Sequence, residues 1–300
     1  MSLLLEIAVS GLLLGGLYAL IAIGLNLQYG LMRVLNVAHG EFLMVGGYIT
    51  YLLVTLHGWN PLTTLLASGP LLFALGMLVH LLLFRHLVRL RRTRDELEAN
   101  SLLLSFGLLF IVQNVALLLW QADIRGYRYL DQPMYLLGAA FPTNRIVAFA
   151  TAVVLTLLLF AFLRWTLVGT TLRALMQDVI GARLIGLPVP LIHAACFGLG
   201  AALAGVAGSL LSMLFPLTPD IGLGYTVTAL IVIILGGLGS VAGSLVGGLL
   251  LGIVEAVGVH FTDPAFRMIL KYGVLALILV VRPYGLFNPL AHRPGQVERA

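Results

Sequence analysis

Asn36, His39 and Glu41 stand within six residues of one another, in a stretch that is otherwise apolar or glycine-rich. A histidine and a carboxylate two positions apart could act as an acid–base pair or as two ligands of a metal ion. A helix would turn side chains at that spacing to different faces, and no second histidine-rich element lies near. We therefore assign no catalytic residue and no metal ligand. Two roles remain open for the group. It can satisfy the freed backbone of a broken helix, with Asn36 as N-cap, or it can line a pathway. Asn26, Gln113, Asn114, His193 and Glu255 are the other polar residues in apolar surroundings. An ionised group costs about 2.5–3.5 kcal/mol at the centre of a membrane helix. Glu255 is expected to pair inside the bundle or sit near an interface rather than bind substrate, and Gln113 and Asn114 to bond between helices. The single cysteine, Cys196, reads as a small packing residue. No nucleophile and base share a depth, so an enzyme is not expected.

The elements that must position these residues follow from composition. The 300 residues are 60% apolar and 10% charged, with mean hydropathy +1.06. A soluble domain carries about 25% charged residues. Lipid must therefore cover most of this surface, which excludes a soluble enzyme, a nucleic-acid binder and a secreted disulfide scaffold. The net charge of +5 comes from sixteen arginines and one lysine against twelve acids, and in such a chain it is first a topology signal.

A span needs about 20 mostly apolar residues. Candidates are 6–28, 35–56, 62–84, 101–121, 143–163, 189–214, 226–258 and 267–282. The start of the chain lacks the basic region of a cleavable signal, so 6–28 reads as the first span. Arg85, Arg89, Arg91, Arg92 and Arg94 mark one cytoplasmic connector, and Arg164, Arg173 and Arg183 the next. That parity puts the N-terminus and the segment from Asp123 to Pro142 outside. The stretch 226–258 is too long for one crossing, and a single crossing would leave Arg282, Arg293 and Arg299 outside. Its middle, Gly236-Gly237-Leu238-Gly239-Ser240-Val241-Ala242-Gly243, is poor helix material. We read a broken or re-entrant helix pair that enters and leaves on one side, with the C-terminus cytoplasmic. The fold class is all-α and polytopic, about eight hydrophobic segments in one transmembrane domain covering 1–300.

Residues 35–48 interrupt an apolar region in the first half much as 236–243 do in the second. Paired interruptions point to an inverted repeat around a central site; glycines that let helices pack closely account for the same pattern. The connector 164–187 reads as a short amphipathic helix, with Leu172, Leu175, Met176 and Val179 at helical spacing. It could lie on lipid headgroups or present a ridge to a soluble partner.

Four motifs then converge on a family. They are Asn36-Val37-Ala38-His39-Gly40-Glu41 running on to Gly46-Gly47-Tyr48; the loop Gly169 to Gly186 with Arg173-Ala174, Asp178 and Ala182; Leu235-Gly236-Gly237-Leu238-Gly239-Ser240 with Gly243; and Arg282-Pro283-Tyr284-Gly285-Leu286. From residue 5 to about 288 the chain resembles the permease subunits of bacterial ABC importers for branched-chain amino acids, the H-type subunit of the Liv system, and their urea and amide relatives. The resemblance implies alternating access, with Asn36, His39, Glu41, Thr228, Gly236, Gly237, Gly239 and Ser240 along the pathway. It makes 164–187 a coupling loop docked on an ATPase through Gly169, Arg173, Ala174, Asp178, Ala182 and Gly186. It implies a second permease, identical or homologous, two cytoplasmic ATPases and an extracytoplasmic substrate-binding protein, in the bacterial inner membrane and without nucleic acid. The chain has no G-x-x-x-x-G-K-[ST] phosphate loop, so ATP and magnesium are expected only in the partner subunits. Amino-acid permeases of this kind often carry a basic residue shortly before the Leu-Gly-Gly motif, where this chain has Thr228. That departure keeps urea or a short-chain amide as the alternative substrate. An ion-coupled carrier using Glu41 or Glu255, or a passive channel, is the alternative of another class.

Overall fold

The structure is a computed structural model that describes residues 2–90, 93–136, 139–282 and 285–287. The helices are α1 (Ser2–Met32), α2 (His39–His57), α3 (Leu65–Val79), α4 (Arg85–Leu90), α5 (Arg94–Trp120) and α6 (Thr143–Trp165). There follow α7 (Leu167–Gln177), α8 (Val179–Leu184), α9 (Val189–Ser212), α10 (Ile221–Gly236), α11 (Val241–Phe261) and α12 (Arg267–Val281). A π-helical turn, His80–Phe84, joins α3 to α4. Between α5 and α6 a small antiparallel ribbon pairs β1 (Pro133–Leu136) with β2 (Ala139–Pro142). Its prolines sit at the first and last positions, where a strand tolerates the loss of a donor.

Among the described residues seven helical stretches are long and apolar enough to cross a membrane, and α10, with 16 residues, is a shorter apolar helix. The chain is a multi-pass membrane protein. Helix α1 is apolar on every side and sits at the centre: Leu17, Leu20, Ile21, Ile23 and Leu25 are wholly buried. It packs against α11, α9, α10 and α6. Glycines set the closest approaches: a β-carbon on Gly15 would collide with the α11 backbone at Gly248, and one on Gly46 with α9 at Gly205. Helices α3, α5, α6 and α12 instead turn Leu66, Leu78, Leu118, Leu158 and Val280 outward, as lipid-facing helices must. Dispersion, interhelical hydrogen bonds and lipid entropy, rather than water exclusion, hold such a bundle.

Both ends of the bundle can be read from contacts. At one end, Tyr29 Oη donates to Glu98 Oε1 at 2.9 Å, Gly30 lies against Gly239 and Met176, and Leu286 N donates to Leu235 O at 2.9 Å. This end carries α4, the start of α5 and the 164–187 segment. At the other, Tyr129 Oη donates to Asn60 Oδ1 at 3.0 Å, Asn144 Nδ2 to Met213 O at 3.1 Å, and Arg125 pairs with Leu217. Tyr127 bonds Ser212 Oγ there at 2.9 Å, and burial pushes its phenol up to about 12.

Several expectations need correction. The second segment starts at His39, not 35, and its N-cap is Ala38, which makes no side-chain cap. Helix α5 begins at Arg94, seven residues before 101, because Thr93 and Glu96 form a capping box. The stretch 226–258, by contrast, is the broken helix pair expected: α10 and α11 form a hairpin whose tip reaches the level of Gly30 and Met176. The 164–187 segment is two helices, α7 and α8, divided at Asp178. Asn114 Nδ2 donates to Phe110 O of its own helix at 2.7 Å rather than to a neighbour. Arg91, Arg92, Pro283, Tyr284, Arg293 and Arg299 lie outside the described residues.

Candidate functional site

The entry into α2 is built from an irregular segment inside the bundle. Arg33 adopts a left-handed φ of 55° and ends α1. The chain then runs without regular structure to a turn at Val37 and Ala38, and its backbone groups must find partners where water is absent. Two serines one helical turn apart on α5 supply them. Leu35 N donates to Ser101 Oγ at 3.1 Å, Val37 N to Ser105 Oγ at 3.0 Å, and Ser105 Oγ back to Leu35 O at 3.2 Å. Helix α10 closes the turn: Gly40 N donates to Thr226 Oγ1 at 2.7 Å, and Thr226 Oγ1 to Val37 O at 2.9 Å. The two interrupted segments thus meet each other.

Within this entry Asn36 Nδ2 donates to Gln28 Oε1 at 3.1 Å, and His39 Nε2 lies 3.0 Å from Ile21 O. A carbonyl only accepts, so that ring nitrogen carries the proton. Glu41 lies in the first turn of α2, where the helix dipole favours an acid, and its carboxylate rests against Gly222. Asn36 Oδ1, His39 Nδ1 and both Glu41 oxygens are buried with no hydrogen-bond partner.

The hairpin tip is closed by contrast. Gly237 and Gly239 take φ of 105° and 85°, a conformation open to glycine. Gly236 lies directly against Gly243. Asn26 of α1 holds the turn: its Nδ2 reaches Ser240 O at 2.9 Å and Ser244 Oγ at 2.6 Å, and Gly239 N donates to its Oδ1 at 2.6 Å. Ser240 Oγ caps α11 by accepting from Gly243 N at 3.0 Å. The tip residues adjoin Trp165, Arg173 and Met176 of the connector, so they lie apart from Asn36, His39 and Glu41.

Thr228 joins neither group. It faces Lys271, the only lysine in the chain, whose Nζ donates to Thr228 Oγ1 at 3.2 Å and Tyr18 Oη at 3.1 Å and pairs with Glu255 Oε2 at 3.3 Å. Tyr18 Oη donates to Glu255 Oε2 at 2.8 Å, and Arg267 Nε lies 3.8 Å from Glu255 Oε1. Glu255 is paired inside the bundle as expected, but sequence reasoning missed Lys271. The available signal was a lone lysine inside the 267–282 span. Asp220, Arg267, Lys271, Glu255 and Thr228 line a cavity of about 600 Å³. Glu255 and Arg267 also border a second one of about 530 Å³ that ends at Glu6, Arg145 and His260.

On the connector, Gly169 packs on the backbone of Leu163. Arg173 Nη2 donates to Arg164 O at 3.1 Å, and Ala174 O accepts from Asp178 N at 3.0 Å. Asp178 caps α8 by accepting from Ile180 N at 2.8 Å, Ala182 is buried, and Gly186 turns at a φ of 82°. Leu172 and Leu175 face the bundle, whereas Leu167, Ile180, Leu184 and Ile185 are exposed. Among the described residues no cluster of three His, Cys, Asp or Glu side chains could hold a metal ion.

Interrupted helices that meet around buried polar groups, in a bundle of membrane-crossing helices, define a multi-pass membrane protein of the permease class. The chain belongs to the family described as branched-chain amino acid transport system, permease component, whose model matches residues 7–280. It is 29% identical over 292 residues to the high-affinity branched-chain amino acid transport system permease protein LivH of Escherichia coli K12, covering 93% of this chain and 94% of that one. It is 31% identical over 289 residues to BraD, the permease protein of a system of the same description in Pseudomonas aeruginosa, with the same coverage. A second Escherichia coli permease protein, LivM, is 26% identical over 90% of this chain and 67% of its own length.

Proposed function

We propose that this chain is one permease of an ABC importer that carries branched-chain, hydrophobic amino acids across the bacterial inner membrane by alternating access. The observation that carries the reading is the family match over residues 7–280, joined to relatives of that description aligned nearly end to end. The arginine-rich end faces the cytoplasm under the charge rule, with the N-terminus outside and the C-terminus inside. A second permease completes the pathway; similarity to two different permease proteins of one organism, LivH and LivM, supports a homologous partner. Two ATPases dock on the connector, where Leu167, Ile180, Leu184 and Ile185 form an apolar ridge beside Arg173 and Arg183. An extracytoplasmic binding protein delivers substrate. This chain hydrolyses nothing and binds no cofactor of its own. Lys271 at Thr228 supports the amino-acid reading over urea, because it returns a cation to the place where Thr228 departs from the pattern.

The test is uptake into liposomes holding the complex with its ATPases and binding protein. ATP-dependent accumulation of labelled leucine is expected. Accumulation of urea alone would keep the machinery and change the substrate, and entry of either without ATP would overturn the importer. Asp178→Arg should insert normally but uncouple ATP hydrolysis from uptake; full coupling in that variant would refute docking at the connector.

A further inference from the structure

A cavity of about 550 Å³ lies between the π-helical turn at the end of α3 and the start of α9, at the arginine-rich end of the bundle. Arg85 and Arg183 line it from two elements, His80 and His193 from two more, and no carboxylate does. His80 is 1% exposed and neither of its ring nitrogens has a hydrogen-bond partner. Arg85 Nε is likewise buried and unpartnered. Among the described residues neither arginine forms an ion pair. Arg183 is exposed and Arg85 half-buried, but the bare His80 ring and Arg85 Nε are buried polar groups whose desolvation is costly, so their persistence calls for an anion.

The architecture adds to the charge. Helix α9 opens at Val189 and Pro190 on the cavity wall, so the positive end of a 24-residue helix borders the same space. The π turn spans His80–Phe84, and it brings His80 edge-on to His193 at 6.3 Å between ring centroids. Such turns recur where a helix has been widened for function. Two guanidinium forks match the oxygens of a phosphate, and the volume exceeds what a bare phosphate needs. Val88 and Leu187 supply apolar wall beside the charged groups. Basic pockets between helices at the cytoplasmic level take anionic headgroups by this chemistry.

We propose that this cavity binds a phosphate-bearing anion, held by Arg85 and Arg183 with His80 as a further donor. The phosphate can come from a phospholipid headgroup or from free phosphate, and the experiment separates the two. The full chain is purified from vesicles of phosphatidylcholine doped with phosphatidylglycerol, and retained lipid is read by native mass spectrometry. In parallel, phosphorus-31 line broadening reads inorganic phosphate binding in pure phosphatidylcholine. The double variant Arg85→Gln, Arg183→Gln should lose about tenfold or more of the binding. Arg85→Lys, which keeps the charge and loses the fork, should retain part of it and serves as the folding control. Retention of phosphatidylglycerol that inorganic phosphate does not displace assigns a lipid headgroup. Broadening without lipid retention assigns free phosphate. Binding unchanged in the double variant, or absent in both arms for the wild-type chain, overturns the proposal.

Discussion

Two buried carboxylates within one bundle are handled in opposite ways. Glu255 on α11 accepts from Tyr18, pairs with Lys271 and lies within reach of Arg267. Glu41 on α2 is just as buried, yet neither of its oxygens has a partner. A buried charge that is paired and hydrogen-bonded is a settled part of the scaffold, and one that is bare must be neutralised or met by something mobile. The difference separates two jobs. The Glu255–Lys271 cluster ties α12 and α10 to the central helix, while Asn36, His39 and Glu41 at the entry into α2 keep buried polar atoms without hydrogen-bond partners.

The sharpest way to break this contrast is Lys271→Met. It leaves Glu255 without its nearest cation, and removing one member of a buried pair costs about 3–5 kcal/mol. A large fall in the thermal midpoint of the purified chain is expected, and the double variant Lys271→Met, Glu255→Gln should recover most of it. If the double variant is no better than the single, the cluster is not coupled and the contrast with Glu41 fails.

Next in size is Asn26→Leu. Asn26 serves Ser240, Ser244 and Gly239 at once, so its loss should cost about 2–4 kcal/mol at net hydrogen-bond values and the stranding of buried groups. Proteolysis at the hairpin tip reads the effect directly, and a tip as protected as wild type would show that the glycine turn holds itself. Ser105→Ala tests the corresponding brace at the entry into α2. It frees Val37 N and Leu35 O but leaves Ser101 and Thr226 in place, so about 1 kcal/mol is expected from thermal unfolding.

How far these features were legible in the sequence follows the range of the interactions. The break at 237–240 could be read because glycines that take left-handed φ are a local signal. The capping box of Thr93 and Glu96 is local too, although the apolar run drew the span boundary away from it. The sequence offered Asn36 as a cap of its own helix, one of two open roles; instead its side chain bonds Gln28 of α1, a tertiary contact that local sequence does not announce. Lys271 was visible as a residue but its role was not, for a physical reason. Near a helix end a lone lysine commonly extends to the headgroups, and only tertiary structure brings it to Tyr18, 253 positions away in sequence. The division of the connector at Asp178 was obscured by the apolar periodicity that runs through it from Leu172 to Val179.

The smallest expected effect on stability decides the most about function. Glu41→Gln keeps the side-chain shape and removes a charge that no partner compensates. It breaks no hydrogen bond or ion pair, so no loss of stability is expected, and relief of the bare buried group should raise the unfolding midpoint if it moves at all. A loss comparable to that of Lys271→Met would mean that the two carboxylates are alike after all. Uptake is the informative readout. If the open atoms at the entry shape the pathway, Glu41→Gln transports substrate poorly while folding and ATPase stimulation persist. If uptake is also unchanged, Asn36, His39 and Glu41 are scaffolding for a broken helix. The next candidate for the pathway is then the charged cavity where Thr228 meets Lys271.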